Sequence, residues 1–298
     1  MVYHPRDGAR RVVAAAFALL CAGAVALVWW FFVTTPTGQR IDQLALEGSA
    51  LGQSTLYGRA HQLLGIVSEA FLVVVVAVAG LFAALRRQWV HVVAIALVVG
   101  GANITTQVLK EYVFSRPDLG VTWSMANSLP SGHTTAAVSA LAAGLLAVAP
   151  RWRWLVAGTG AIYAAATGVA TMVVSWHRPG DVVAAVLVVG AWLLCALALL
   201  RREDVATNGG RMPSWARGAD VATRALLGLT MAVAALVSFL ALLTTRGAIG
   251  AEPPERFDLP VAYIGAIAAI IAITCLTTLL ALVLSAPRSD PRRAGATR

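Results

Sequence analysis

Apolar residues in this chain run in long unbroken blocks, not at the third and fourth positions that mark a soluble amphipathic helix. Eight blocks stand out: Arg11–Val33, Gln62–Leu85, Val90–Leu109, Thr134–Val148, Leu155–Val174, Val182–Leu200, Ala222–Leu243 and Leu259–Leu284. Crossing the hydrocarbon of a bilayer takes about 20 residues, so each block predicts a membrane helix, the fourth being the shortest. The first block follows "RDGARR". It exceeds the roughly 7–15 apolar residues of a secretory signal and has no A-x-A-like site after it, so it reads as an anchor. Between the first two blocks, Thr34–His61 reads as a long, mildly polar loop with room for a short interfacial helix. The polar stretch "RREDVATNGGRMPSWARGAD", Arg201–Asp220, contains Gly-Gly and Pro and reads as a second loop. It divides six helices from a final pair. The predicted fold is an all-α polytopic bundle of about eight transmembrane helices: a core over residues 1–205, a cytoplasmic linker over 206–221, and a two-helix hairpin with a basic tail over 222–298.

Composition agrees with the pattern. Hydrophobic residues make up 59% and charged residues 12% of the 298 positions, where a soluble domain carries about 25% charged residues. With the N-terminus in the cytoplasm, most of the 23 basic residues fall in the inner segments, as the positive-inside rule requires. Both termini are then expected inside. The net charge of +9 is absorbed by this topology, and with no basic stripe interleaved with aromatics, no nucleic-acid partner is expected. Cys21, Cys195 and Cys275 all sit within apolar blocks and read as small buried hydrophobes, since no C-x-x-C is present.

Three junctions on the outer side collect the unusual chemistry: "KEYVFSRPD" (Lys110–Asp118), "PSGH" (Pro130–His133) and "SWHRPGD" (Ser175–Asp181). Lys110 is the one lysine among 23 basic residues. A compact ammonium there, with Arg116 six residues on as a planar fork before Pro117, suits a phosphate. Ser131 and Gly132 offer a hydroxyl and an open backbone N–H where a helix begins, a natural anion site, although Ser131 also suits a plain helix cap. His133 follows at the membrane surface. His177 and Asp181 are four apart, so the carboxylate can fix the imidazole tautomer and leave its second nitrogen basic. Two histidines, one carboxylate and several phosphate-seeking groups are the parts of phosphoryl transfer through a covalent intermediate. No cofactor is expected: the outer segments hold no carboxylate cluster of magnesium type, and the histidines serve better as acid and nucleophile than as zinc ligands.

This arrangement resembles the type 2 phosphatidic acid phosphatase (PAP2) superfamily, with its K-x6-R-P, P-S-G-H and S-R-x5-H-x3-D motifs, over Lys110 to Asp181. The resemblance implies a six-helix PAP2-like core with the site at its outer face. It also implies His177 as nucleophile, His133 as general acid, Asp181 as the group orienting His177, and Lys110, Arg116, Ser131 and Gly132 as phosphate binders. Two departures are visible. Five residues separate Lys110 from Arg116, and Ala170–Thr171 replaces the Ser-Arg of the third motif. Arg178, beside the nucleophile, is the candidate replacement for the lost arginine.

The expected activity is metal-independent hydrolysis of a lipid phosphate or pyrophosphate, of polyprenyl pyrophosphate or phosphatidate type, at the outer leaflet of a bacterial plasma membrane. A phosphotransferase using the same intermediate and a non-catalytic lipid-binding or transport protein stay open. The expected partner is the lipid substrate, and the two C-terminal helices are candidates for self-association. Asn103, Thr105, Thr106 and Gln107 read as interhelical glue, and His4 and His91 as structural. Glu69 is an intramembrane carboxylate outside the three junctions.

Overall fold

The computed structural model describes residues 5–66, 69–121, 126–200, 212–249 and 257–286. His4 and the basic tail lie outside them. In chain order the described α-helices are α1 (Pro5–Thr34), α2 (Pro36–Gly48), α3 (Ala50–Ile66), α4 (Glu69–Leu85), α5 (Trp89–Val108), α6 (Gly132–Ala147), α7 (Arg153–Val173), α8 (Pro179–Leu199), α9 (Ser214–Thr245) and α10 (Asp258–Leu284). No strand occurs among the described residues. With lipid offering no hydrogen bonds, a helix is the one spanning structure that satisfies its own backbone without a closed barrel.

The described residues of all eight apolar blocks are helical almost throughout, and six described helices are long and apolar enough to cross a membrane: α1, α5, α7, α8, α9 and α10. Two apolar helices are shorter. α6 has 16 residues because Ser131 caps its start and Val148–Pro150 ends it, and α4 has 17. The second apolar block is shared between α3 and α4, with residues 67–68 undescribed and the side chain of Glu69, which opens α4, outside the description.

The stretch read as a loop, Thr34–His61, is helical through nearly its whole length as α2 and most of α3. Its first turn carries the local signals for this: Thr35 caps α2 by accepting the Gly38 N–H through its hydroxyl (3.0 Å), and Pro36 occupies the first helical position. A Cβ on Gly38 would run into the carbonyl of Phe31, so only glycine lets α2 fold back tightly onto the end of α1. α9 also begins earlier than its apolar block. Ser214–Asp220 continues the helix into water, supported by an Arg224–Asp220 ion pair at 2.7 Å one turn apart.

α8 is the hub. It packs along α1 and touches α5, α6 and α10, and its Val182, Ala185, Val186 and Val189 are fully buried. Small residues let the backbones approach: a side chain on Gly168 of α7 would meet Val182 of α8 and Ile270 of α10. The C-terminal pair is therefore built into the molecule, with α10 against α2, α7 and α8. Leu19, Leu85, Ile162, Leu199 and Leu229 stand exposed around the outside, as a lipid-facing girdle needs. Cys21 and Cys275 are buried as expected, whereas Cys195 lies on an exposed face of α8. The polar end of α5 glues helices: Asn103 donates to the Ser139 hydroxyl (3.3 Å), Thr106 pairs with Thr135 (2.9 Å) and Thr105 accepts from the Trp192 indole (3.1 Å).

One end of the bundle is tied down by arginines on helix C-termini. Arg10 donates to the carbonyls of Leu200 and Leu284, Arg11 to Ala198, Arg86 to Ala147 and Arg153 to Ser285. Each places a cation where the last carbonyls of a helix are unsatisfied and its dipole is negative. α6 and α8 both end there, so both begin at the opposite end.

Candidate active site

Three chain segments form the opposite end of the bundle. At the start of α6, the Ser131 hydroxyl accepts the Thr134 N–H (3.4 Å) and the Thr134 hydroxyl proton (3.1 Å), while its carbonyl takes the Thr135 N–H (3.0 Å). Gly132 and His133 are then the first two helical residues. At the end of α7, the Trp176 N–H returns to the Thr171 carbonyl (2.9 Å) and the Ser175 N–H to Met172 (2.9 Å), a Schellman closure. Ser175 supplies the left-handed residue (φ 57°), and its hydroxyl accepts from Gln53 of α3 (2.7 Å). This closure sends the chain straight into His177. Arg178 is extended, as a residue before proline prefers, and Pro179 opens α8.

Asp181 sits in the first turn of α8 and reaches back over it. Its Oδ2 accepts the Arg178 N–H (2.9 Å) and lies 3.2 Å from Nδ1 of His177. Helix capping and the contact with His177 thus use the same oxygen. With the imidazole proton held on Nδ1 by the carboxylate, the ring's lone pair resides on Nε2. Both groups are buried, His177 at 7% and Asp181 at 2% exposure. The backbone N–H of Ser131 donates to the Asp181 carbonyl (3.0 Å), which locks the start of α6 to the start of α8. His133 is within electrostatic reach of His177 and Lys110. Its ring centroid lies 5.1 Å from that of Trp176, which also meets His61 of α3 edge-on at 5.9 Å.

The cations complete the picture. Lys110 stands in a π-turn, Leu109–Val113, that extends α5. Asn127 pins the following loop by donating to the carbonyls of Lys110 (3.2 Å), Phe114 (3.1 Å) and Leu129 (3.0 Å). Arg116 and Arg178 are within electrostatic reach of each other. Burial first and the Arg178 charge second push the Arg116 guanidinium below its ordinary value, against the opposite pull of Asp42 and Asp181. Arg116 Nε and Nη2 and Arg178 Nε are buried with no hydrogen-bond partner among the described residues. Buried donors on paired cations are costly unless an anion meets them. Two helix N-termini converge beside them, each carrying about half a positive charge. Planar donors and helix starts of this kind fit a tetrahedral oxyanion such as phosphate.

Of the residues singled out from sequence, His133 lies within electrostatic reach of His177 and Lys110; Ser131 and Arg178 are bonded to Asp181 through their backbone N–H groups; and Arg116 is within electrostatic reach of Arg178 and Asp181. The Ser131 hydroxyl is engaged as the helix cap, and Gly132 borders open space. Thr171, in the place of the third-motif arginine, is fully buried and donates to the Gly168 carbonyl of its own helix (2.7 Å), so α7 contributes no cation. Arg178 instead reaches the Ser128 hydroxyl (3.4 Å). Among the described residues, no group of three or more His, Cys, Asp or Glu side chains is placed to hold a metal ion.

Sequence reasoning missed Asp42 and Gln39 of α2. Asp42, 1% exposed, accepts the Gly180 N–H of α8 through Oδ1 at 2.8 Å. Burial first, then the Asp181 charge, raise its pKa to about 7 against the opposing Gly180 N–H, Arg178 and Arg116. The one usable signal was the T-P helix start of "TTPTGQRIDQLALEG".

No curated protein and no solved structure gives a significant match to the chain. The family model described as PAP2 superfamily matches residues 91–204, from α5 through the end of α8. The matched stretch carries the three motif segments together with His133 and His177 and is similar to the PAP2 superfamily, whose members act as phosphatases or phosphotransferases on phosphate esters.

Proposed function

We propose that this multi-pass membrane protein hydrolyses a lipid phosphate or pyrophosphate, of polyprenyl pyrophosphate or phosphatidate type, through a phosphohistidine intermediate on the extracytoplasmic side of the plasma membrane. The observation that carries the reading is the buried His177–Asp181 pair (3.2 Å) beside His133 and the unpaired donors of Arg116 and Arg178. In the first step Nε2 of His177 attacks phosphorus and the bond from phosphorus to the leaving oxygen breaks, while His133 gives that oxygen a proton. In the second, water attacks the phosphohistidine and yields its proton to His133. Inorganic phosphate leaves and both histidines return to their starting states. Lys110, Arg116, Arg178 and the amides at the start of α6 hold the phosphoryl oxygens through both steps.

Two features support a lipid over a soluble ester. At about 1.5 Å per residue α6 is roughly 24 Å long, shorter than a hydrocarbon core of about 30 Å, so with its arginine-tied end at one interface its start lies recessed from the other. Exposed Trp176, Tyr112 and Val113 flank the motif segments with apolar surface. The arginine-tied end, opposite the site, supports a cytoplasmic N-terminus and an outward site.

Phosphate release from polyprenyl pyrophosphate, phosphatidate and phosphatidylglycerol phosphate, measured in detergent with EDTA, tests the proposal. Wild-type protein is expected to release phosphate from at least one lipid, and His177→Ala to lower kcat by about 10³-fold or more. Release that survives in folded His177→Ala removes the phosphohistidine. Release that requires an added alcohol acceptor reassigns the protein as a phosphotransferase.

A further inference from the structure

Asp42 and Gln39 lie one helical turn apart on α2, outside the family-matched segment, and each holds a different wall of the site. The Gln39 amide donates to the Pro117 carbonyl (3.1 Å) and to the Val33 carbonyl at the end of α1 (2.7 Å). Asp42 takes the Gly180 N–H in the first turn of α8. Pro117 follows Arg116, and Gly180 lies between His177 and Asp181. We propose that α2 is a clamp in which Gln39 and Asp42 act as positioning residues, holding the Arg116 loop and the His177 turn in register, with the charge of Asp42 setting how strongly the two arginines draw in phosphate.

The fit at Asp42 is close. A Cβ on Gly180 would stand 3.1 and 3.3 Å from its two carboxyl oxygens, so the helix start is shaped to this side chain. One oxygen, Oδ2, is buried with no partner among the described residues and is the natural place for a proton. The side chain borders a cavity of about 120 Å³ whose other walls include Phe32 of α1, Val183 of α8, Thr245 of α9 and Ala262 and Ala266 of α10. The charged groups acting on it are Asp181, Arg178 and Arg116. With Asp42 neutral, two guanidiniums face one carboxylate and a net positive charge awaits the substrate. With Asp42 ionised, the two carboxylates balance the two arginines. Because its pKa is raised to about 7, the neutral form prevails below that pH and the ionised form above it. Phosphate affinity is therefore expected to fall as pH rises through neutrality.

The clamp rests on the phosphatase reading for its effect on turnover, and on phosphate binding alone for its effect on charge. Wild type, Asp42→Asn, Asp42→Ala and Gln39→Ala are compared for inorganic-phosphate affinity by ligand-induced thermal shift, and for kcat and KM on the best lipid. Asp42→Asn keeps an acceptor for Gly180 and removes the charge, and comparison at a matched pH cancels the titration of phosphate and of both histidines. At about pH 8.5 this variant is expected to bind phosphate roughly tenfold more tightly than wild type, and at about pH 6 within roughly twofold. Asp42→Ala and Gln39→Ala are expected to lose kcat by about tenfold or more, with Asp42→Asn restoring most of it. Equal phosphate affinity of wild type and Asp42→Asn at both pH values overturns the role of charge. Wild-type kcat in Asp42→Ala or Gln39→Ala overturns the positioning role, and an Asp42→Asn that turns over no faster than Asp42→Ala does the same. If wild type releases no phosphate from any lipid, the phosphatase reading falls, and the binding comparison still decides the charge.

Discussion

Arg178 and Thr171 decide how a site that departs from its motif can still gather a phosphate. Thr171 is spent on its own helix, and the guanidinium that acts on Arg116 comes from Arg178, the residue after His177. A charge-assisted bond to a phosphate contributes about 1.5–3 kcal/mol. Arg178→Ala is accordingly expected to lower kcat/KM by about 10- to 100-fold in the phosphate-release assay, and Arg178→Lys to recover only part because an ammonium lacks the planar fork. Unchanged kcat/KM in Arg178→Ala would remove it from the phosphate site. At this scale the histidines and Asp181 were readable because their chemistry is concentrated in short motifs. Asp42 was not, since a sequence does not distinguish an aspartate facing water from one buried against a helix start, and its partner is a backbone amide 138 positions away.

The α7–α8 junction shows what an element boundary does for the placement of His177. Ser175 holds φ 57° without being glycine, and its hydroxyl is tied to Gln53 of α3. That conformation costs an L-residue about 1–2 kcal/mol, and a β-branched side chain suffers most. Ser175→Val is expected to lower stability by about 1–3 kcal/mol and to depress kcat along with it, whereas Ser175→Gly holds the midpoint of thermal unfolding close to wild type. A Ser175→Val protein with wild-type midpoint and turnover would show that the closure does not set the His177 turn. The apolar blocks revealed where helices lie. They hid α2 and the start of α3, because a polar helix folded over the end of a bundle lacks the long apolar run of a membrane span and resembles a loop in hydropathy.

Across the whole molecule, α9 and α10 are packed to different depths. Ile270 of α10 is fully buried against Gly168 of α7, whereas α9 packs mainly on α10 and keeps Leu226, Leu229, Val233 and Phe239 exposed. Packing partners are a property of three dimensions, and a uniformly apolar helix gives no sign of which face it buries. Ile270→Ala is expected to destabilise the protein by about 2–5 kcal/mol, as truncation of a buried side chain does elsewhere, seen as a lowered unfolding midpoint in detergent. An unchanged midpoint would make the pair peripheral.

The shared direction of α6 and α8 has a consequence for the chain as a ruler. Both helices start at the site and finish among the arginines, with α7 as the return leg between them. The interval from His133 to His177 is thus one round trip through the bundle, 16 residues down α6 and 21 back up α7 with a short turn at the far side. Each residue of α-helix advances the chain by about 1.5 Å and turns it by about 100°. The far turn can change in length at little cost, while the two legs must keep step, or His133 and His177 would meet out of phase.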